Sequence, residues 1–175
     1  MITIEKSLIE KLLALEKPAI IAISGFGGAG KSTFADLLGS AINASVVCID
    51  QFGIDRTIEN YTHWRGMDFE RLEKEIIIPF LKDKNPSAGL LIVEGVGLFR
   101  PELLKYFDYK IWIDLPQDIA TLRGKSRDRE RRGDTEDPNW DAKWDGPWKR
   151  NDEEYFNTYR PDRVADLVIS NHENK

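Results

Sequence analysis

Residues 25–32 have the sequence Gly-Phe-Gly-Gly-Ala-Gly-Lys-Ser, which fits the motif G-x-x-x-x-G-K-S/T without a mismatch. An apolar run at residues 19–23 precedes the motif and predicts a buried strand, and a helix is predicted from about Lys31 to Ala41. A strand, a glycine-rich turn and a helix in this order are the context in which the motif wraps a polyphosphate. A chance match would occur in roughly one chain of this length in a hundred. We call residues 25–32 the phosphate loop.

The residue types of the phosphate loop suit a chain of phosphates. Glycines let backbone N–H groups turn inward and approach phosphate oxygens closely, and the N-terminus of the following helix adds partial positive charge. We expect Lys31 to reach the β- and γ-phosphates, Ser32 to ligate magnesium and Thr33 to donate one more hydrogen bond. The predicted nucleotide-binding residues are Gly25, Gly27, Gly28, Ala29, Gly30, Lys31, Ser32 and Thr33.

The rest of the chain alternates predicted strands and helices. Further strands are predicted at 45–49, 90–93, 109–113 and 166–170, and helices at 4–15, 68–82 and 116–132. Apolar strands that alternate with helices predict a parallel sheet covered on both faces. We therefore expect an α/β P-loop NTPase fold with a five-stranded parallel sheet and a small lid at about residues 123–150. No linker or repeat divides residues 1–175, so one domain is expected.

The composition describes an ordinary globular chain. It has 175 residues, 41% of them hydrophobic, and a net charge of −5, which argues against a nucleic-acid-coating protein with a broad basic face. The single cysteine, Cys48, excludes a disulfide framework within the chain and favours a reducing setting. Without a run of about 18 apolar residues or a signal-peptide pattern, we expect a cytoplasmic protein that makes no membrane contact. The sequence is silent on oligomeric state.

Acidic residues follow three predicted strands at the edge where parallel sheets bind ligands: Asp50, Glu94 and Asp114, the last of which we expect to cap the next helix. Asp50 follows the second strand, which we expect beside the first, so its carboxylate should face the γ-phosphate. We expect Asp50 to act as a base or acceptor-positioning group and to approach the metal, rather than to cap a helix or turn. Glu94 is followed by Gly95, which leaves room, and we expect it in the magnesium shell rather than in a structural role.

A basic segment lies at residues 123–133. It has six basic and two acidic residues, a local charge of +4. Such a segment is either a solvated helix face with internal ion pairs or a lid that closes over phosphates. For the second case we predict phosphate contacts from Arg127 and Arg132.

Residues 134–150 are rich in Asp, Pro, Gly and Trp. This composition predicts an ordered but mobile loop after the basic segment. For its three tryptophans we favour packing in a satellite cluster over a stacking platform for substrate.

The motif alone does not define the reaction. A GTPase would add N-K-x-D, which is absent, and the D-x-x-G at residues 50–53 is a weak match. A ring or transporter ATPase would end a strand in Asp-Glu, and no predicted strand does. A kinase that uses ATP and Mg²⁺ to phosphorylate a small hydroxylated molecule remains. A regulatory nucleotide-binding protein that transfers nothing and a plain ATPase are the open alternatives.

Several segments resemble the uridine kinase and phosphoribulokinase family of P-loop kinases. Residues 23–33 look like its phosphate loop, 49–52 like its Asp-x-Phe segment with the catalytic aspartate, 93–99 like its magnesium-ligating Glu-Gly segment, 127–133 like its R-D-x-x-x-R-G lid, and 159–169 like its closing strand. The resemblance implies the family's roles for Lys31, Ser32, Asp50, Glu94, Arg127 and Arg132.

The chain departs from this family on the acceptor side. Thr62 stands where members acting on uridine and cytidine have an aspartate that holds the ribose, and Gly124 and Asp134 stand where they have arginines. The acceptor is therefore open among a nucleoside, which is slightly favoured, a sugar, a sugar phosphate and a vitamin precursor such as pantothenate. We expect it to bind between Asp50, residues 54–66 and the lid.

Overall fold

The computed structural model describes residues 4–53, 67–83, 89–131 and 138–171. Five strands form one parallel sheet in the order β2-β3-β1-β4-β5. They are β1 (Ala19–Gly25), β2 (Ser45–Cys48), β3 (Leu90–Glu94), β4 (Tyr109–Asp114) and β5 (Leu167–Ser170). The predicted five-stranded parallel α/β fold is confirmed.

Helices connect and flank these strands. They are α1 (Lys6–Leu13), α2 (Lys31–Ile42), α3 (Phe69–Leu72), α4 (Ile78–Lys82), α5 (Pro101–Leu104), α6 (Gln117–Arg131), α7 (Pro138–Lys143), α8 (Lys149–Tyr159) and α9 (Pro161–Val164). A 3₁₀ turn at Ile49–Phe52 follows β2, and π-helical turns at Glu73–Ile77 and Trp144–Trp148 join α3 to α4 and α7 to α8. Across the described ranges, no helix has both the length and the apolar character needed to cross a bilayer.

Strand β1 occupies the centre of the sheet and is buried along its whole length. Its apolar run is continuous because both of its faces are covered. Ile20, Ile21 and Ile23 are fully buried, and each such side chain stabilises the fold by about 1.5–3 kcal/mol through removal from water. The start of the phosphate loop at Gly25 is therefore held by a central strand that is buried along its whole length.

The lateral position of β2 differs from the expectation. It pairs with β3, with Cys48 opposite Glu94, whereas β1 pairs with β3 and β4. The prediction that Asp50 follows a strand beside β1 is therefore wrong. Strand positions follow from hydrophobic pattern, but their lateral order depends on where the crossover after β2 returns, which the pattern does not encode. Asp50 lies in the 3₁₀ turn beyond β2, at the sheet edge.

The predicted loop at 134–150 is also wrong over the part that the structure describes. From Pro138 onward the chain is helical through α7, the π-helical turn and α8. Gly146 and Pro147 suggest a loop in the sequence, but here they lie inside the π-helical turn. Residues 134–137 lie outside the described ranges.

A buried tyrosine fixes α8 to the sheet. The hydroxyl of Tyr155 accepts a hydrogen bond from the backbone N–H of Phe99 at 2.9 Å and lies 3.3 Å from the hydroxyl of Ser24. Burial raises the pKa of Tyr155, so the phenol stays neutral. This contact joins β1, the segment after β3 and α8 at one point.

We predict that Tyr155→Phe lowers the free energy of unfolding by about 1–3 kcal/mol, because the buried N–H of Phe99 loses its acceptor. Urea unfolding provides the measurement. The same change at half-buried Tyr159, whose ring packs on Tyr155, should cost less than about 0.5 kcal/mol. Equal losses in the two variants would contradict the role of the Tyr155 hydroxyl.

Candidate functional site

A cavity of about 320 Å³ opens where β1 and β3 end. This is the edge at which parallel α/β sheets bind ligands. Its lining combines the phosphate loop, carboxylates, arginines of α6 and aromatic residues of the α7–α8 region. The residues are Gly27, Gly28, Lys31, Ser32, Asp50, Gly53, Met67, Glu94, Gly95, Val96, Arg127, Asp128, Arg131, Trp140, Trp144, Trp148 and Asp152.

The phosphate loop turns tightly and packs against α6. Gly28 has a φ of +85°, and a Cβ there would lie 2.0 Å from the carbonyl oxygen of Ala120. A side chain at Gly28 is therefore excluded both by backbone conformation and by space. Gly27, Gly28, Lys31 and Ser32 line the cavity. The other predicted nucleotide-binding residues complete the loop and the first turn of α2: Gly25, Ala29, Gly30 and Thr33.

The predicted lysine lies at the base of the cavity. Lys31 is 8% exposed, and its Nζ donates a hydrogen bond to the carbonyl oxygen of Phe26 at 3.0 Å. A backbone carbonyl is a weaker partner for an ammonium than a phosphate oxygen, because the hydrogen bond to a phosphate is assisted by charge. Without nucleotide, the Lys31 ammonium is therefore bonded within the phosphate loop itself.

Ser32 and Glu94 provide a pair of oxygen ligands. The Ser32 hydroxyl donates to Glu94 Oε1 at 2.9 Å, and Glu94 is 2% exposed. Mg²⁺ in phosphate-transfer sites is held by one or two carboxylates together with phosphates and waters, so this donor set fits the ion. In the described ranges no group of three or more His, Cys, Asp or Glu residues forms a metal cage of its own. The pair therefore suits a metal that arrives with a nucleotide.

Asp50 is exposed and also lines the cavity, as do Gly53 and Met67, which form a β-bridge. The thiol of Cys48, two residues before Asp50, is unreactive. Burial, with the charges of Asp50 and Glu94, raises the pKa of its thiol to about 12. Cys48 therefore stays protonated at neutral pH and is a poor nucleophile.

The basic helix α6 makes ion pairs with one set of its basic residues and lines the cavity with another. Lys125 bonds to Asp145 at 2.7 Å and Arg129 pairs with Asp141, so this part of the helix makes ion pairs. Arg127 and Arg131 line the cavity one helical turn apart. Sequence reasoning missed Arg131. The other predicted arginine, Arg132, lies outside the described residues.

Three tryptophans form one wall of the cavity, and we call them the tryptophan wall: Trp140, Trp144 and Trp148. Trp148 meets both others edge-on, with ring centroids 5.0 and 5.2 Å apart. A Cβ at Gly124 would lie 2.2 Å from the Trp144 ring, so α6 accommodates this ring only with glycine there. The cluster is packed, as expected, but it is not remote from the cavity.

Asp128 holds the orientation of two members of the tryptophan wall, Trp140 and Trp144. Its Oδ2 accepts hydrogen bonds from the indole N–H groups of Trp140 at 3.1 Å and Trp144 at 3.0 Å. Burial acts to raise the pKa of Asp128, but the hydrogen bonds from Trp140, Arg127 and Trp144 outweigh it and hold this pKa below its usual range. Asp128 is therefore a carboxylate at neutral pH and a strong acceptor for both indoles.

A second carboxylate, missed by sequence reasoning, lies against the phosphate loop. Asp152 is 6% exposed, and its Oδ2 accepts a hydrogen bond from the backbone N–H of Gly27 at 2.8 Å. Burial raises its pKa to about 7. The available signal was the spacing of four that continues through the tryptophan wall to Asp152, which is typical of one helix face.

We predict that Asp128→Ala lowers the free energy of unfolding by about 1–3 kcal/mol and shifts tryptophan emission to longer wavelength, because two indole N–H groups lose their acceptor. Urea unfolding and fluorescence spectra measure both effects. Asp145→Ala is the control, since Asp145 is exposed and bonds only at the surface to Lys125, and it should change stability by less than about 0.5 kcal/mol. An unchanged emission spectrum in Asp128→Ala would contradict the assignment.

Comparison with known proteins gives curated relatives that are named as uridine kinases. No protein-family model matches the chain. A uridine kinase from Lactobacillus helveticus is 30% identical over 151 residues, which cover 68% of this chain and 72% of that protein. A solved structure named provisionally as a fructose transport system kinase from Silicibacter sp. TM1040 aligns with a TM-score of 0.72 at 20% identity, covering 93% of this chain and 97% of that one. The structure of a possible uridine kinase from Bacillus stearothermophilus aligns with a TM-score of 0.66 at 16% sequence identity. The alignment covers 93% of this chain and 95% of that one. The two structures support the fold.

Proposed function

Because the chain belongs to the uridine kinase family of P-loop kinases, we propose that it transfers the γ-phosphoryl group of ATP to a hydroxyl of a small molecule, with a nucleoside as the first candidate acceptor. One observation carries this proposal. A single cavity contains the phosphate loop with Lys31, the carboxylates Asp50 and Glu94, and Arg127. These are the parts that phosphoryl transfer needs: a phosphate cradle, a group to orient the nucleophile, a metal ligand and a cation over the transferring charge.

In the proposed reaction, Asp50 orients the acceptor hydroxyl and takes its proton. The hydroxyl oxygen attacks the γ-phosphorus, the bond from that phosphorus to the β–γ bridging oxygen breaks, and ADP leaves. Lys31 exchanges the carbonyl of Phe26 for phosphate oxygens, and Arg127 stabilises charge on the transferring group. Asp50 has room for an acceptor because it is exposed on the cavity wall.

Ser32 and Glu94 would hold Mg²⁺, with Asp50 near it, and the ion would neutralise charge on the β- and γ-phosphates. Residues 123–150 are proposed to act as the lid. The contacts proposed for Arg132 belong to the same lid, beyond the described residues.

The tryptophan wall supports an acceptor with a flat or ring-shaped face. Indole rings bind such faces through stacking and dispersion, and Asp128 fixes the direction of two of the three indoles. A nucleoside base fits this description. A sugar, a sugar phosphate or a vitamin precursor is the alternative, because residues 54–66, which we expect to complete the acceptor site, lie outside the described ranges. The regulatory alternative is less favoured, because Asp50, Glu94 and Arg127 all reach the one cavity.

We predict that one class of acceptor stimulates ADP release from MgATP, and that Asp50→Asn lowers the stimulated turnover about 10²–10⁴-fold through loss of the base. A panel of nucleosides, sugars and vitamin precursors is tested, with Lys31→Ala as the blank. Asp50 is exposed, so the variant should unfold at the wild-type urea concentration. Full transfer activity in folded Asp50→Asn would overturn this mechanism.

Two arginines of α6 provide a matched test of the phosphate contacts. We predict that Arg127→Ala, on the cavity side, lowers turnover at least about tenfold through lost stabilisation of the transferring charge. Arg129→Ala removes a partner of Asp141 from the same helix and should leave turnover within about twofold of wild type. Steady-state kinetics at saturating MgATP distinguishes them. Equal losses would assign the effect to the helix as a whole.

A further inference from the structure

Asp152 is a buried carboxyl group for which the proposed reaction has no use. It lies in α8, lines the cavity and accepts the N–H of Gly27, so it contacts the phosphate loop directly. Unlike Asp50 and Glu94, Asp152 has no metal or acceptor in the proposed reaction to offset the repulsion between its carboxylate and a polyphosphate, and like charges at short range repel strongly in a buried site. The question is therefore whether Asp152 is charged or protonated when nucleotide is bound.

The charges around Asp152 come from every element that faces the cavity. Lys31 on α2 acts to lower the pKa of Asp152, and Glu153 on α8 acts to raise it. Tyr155 on the same helix is also close enough to interact with it. The other charged residues of the cavity are Arg127, Asp128 and Arg131 on α6, Asp50 beyond β2, and Glu94 at the end of β3.

Nucleotide binding would weaken the support for the charged form of Asp152, which comes first from the Gly27 N–H and second from Lys31. Of the groups that interact with it, Lys31 is the cation, and we have proposed that Lys31 turns to the phosphates. The incoming phosphates also add negative charge to the same cavity. Both changes favour the neutral acid, which unlike a carboxylate can donate a hydrogen bond.

We propose that Asp152 is a nucleotide-contacting residue that takes up a proton when the polyphosphate binds, keeps its bond to the Gly27 N–H through one oxygen, and donates from the other to a phosphate oxygen. This inference rests on the nucleotide-binding part of the proposed function and not on the identity of the acceptor. It makes nucleotide affinity depend on pH through one residue.

The sign and size of the effect follow from linkage. In the free protein the pKa of Asp152 is about 7, and in the complex it is higher, so binding takes up about half a proton at pH 7 and more at pH 8. Affinity is then highest below pH 7 and falls as pH rises, by about fivefold between pH 7 and pH 8. Asp152→Asn keeps the size, the acceptor for Gly27 and a donor, but it cannot titrate.

The experiment is isothermal titration calorimetry of the full chain with MgADP, in two buffers that differ in ionisation enthalpy, at pH 6, 7 and 8. We expect proton uptake and the fivefold loss of affinity in the wild type and in the exposed control Asp145→Asn. Asp152→Asn should bind with wild-type affinity at pH 6, with no uptake beyond that of the nucleotide itself and no loss of affinity at pH 8.

Absence of proton uptake in the wild type would overturn the proposal without any variant, so it stays testable even if Asp152→Asn folds poorly. Uptake of the same size in folded Asp152→Asn would overturn it too, by assigning the proton to another group. Because MgADP binding needs no acceptor and no turnover, a failure here leaves the transfer assay unaffected. A failure of transfer with intact proton uptake would overturn the kinase proposal alone.

Discussion

The close contact of the phosphate loop with α6 is the constraint on which the rest of the site depends. The backbone at Gly28 lies so close to the carbonyl oxygen of Ala120 that a Cβ would not fit between them. The phosphate loop and the basic helix α6 are therefore in direct backbone contact. Trp144 then fits over Gly124, and the Gly27 N–H reaches Asp152. A bulkier residue at the loop would separate β1, α6 and α8 together. The family resemblance predicts arginine at position 124, and the ring of Trp144 explains why this chain has glycine.

The basic residues of α6 differ in what they contact. Arg127 and Arg131 of α6 line the cavity, with Arg127 also bonded to Asp128, while Lys125 and Arg129 pair with Asp145 and Asp141. Asp128 and Asp152 differ in protonation. Asp128 is charged and accepts hydrogen bonds from two indoles, whereas burial favours a proton on Asp152 near neutral pH. Two aspartates on neighbouring helices thus have opposite pKa shifts because one accepts several side-chain hydrogen bonds and the other is buried with few.

The sequence predicted those parts of the structure that local pattern encodes. The positions of the five strands and of the four predicted helices, and the phosphate loop, depend on apolar runs, glycines and motif spacing. The lateral order of β2 depends on a long-range crossover, and it was predicted wrongly. The helical α7–α8 segment was missed because Gly146 and Pro147 outweighed the regular spacing of four, and Asp152 was missed with it.

Phosphoryl transfer from ATP to a hydroxyl can be tested by following the γ-phosphoryl group itself. The protein would be incubated with ATP that carries ¹⁸O in the γ-phosphoryl group and with a mixture of candidate acceptors, and the products resolved by mass spectrometry. We predict a labelled phosphate ester on one acceptor, formed in amounts equal to ADP. Label found only in inorganic phosphate, or retained entirely in ATP that is nevertheless bound, would contradict it.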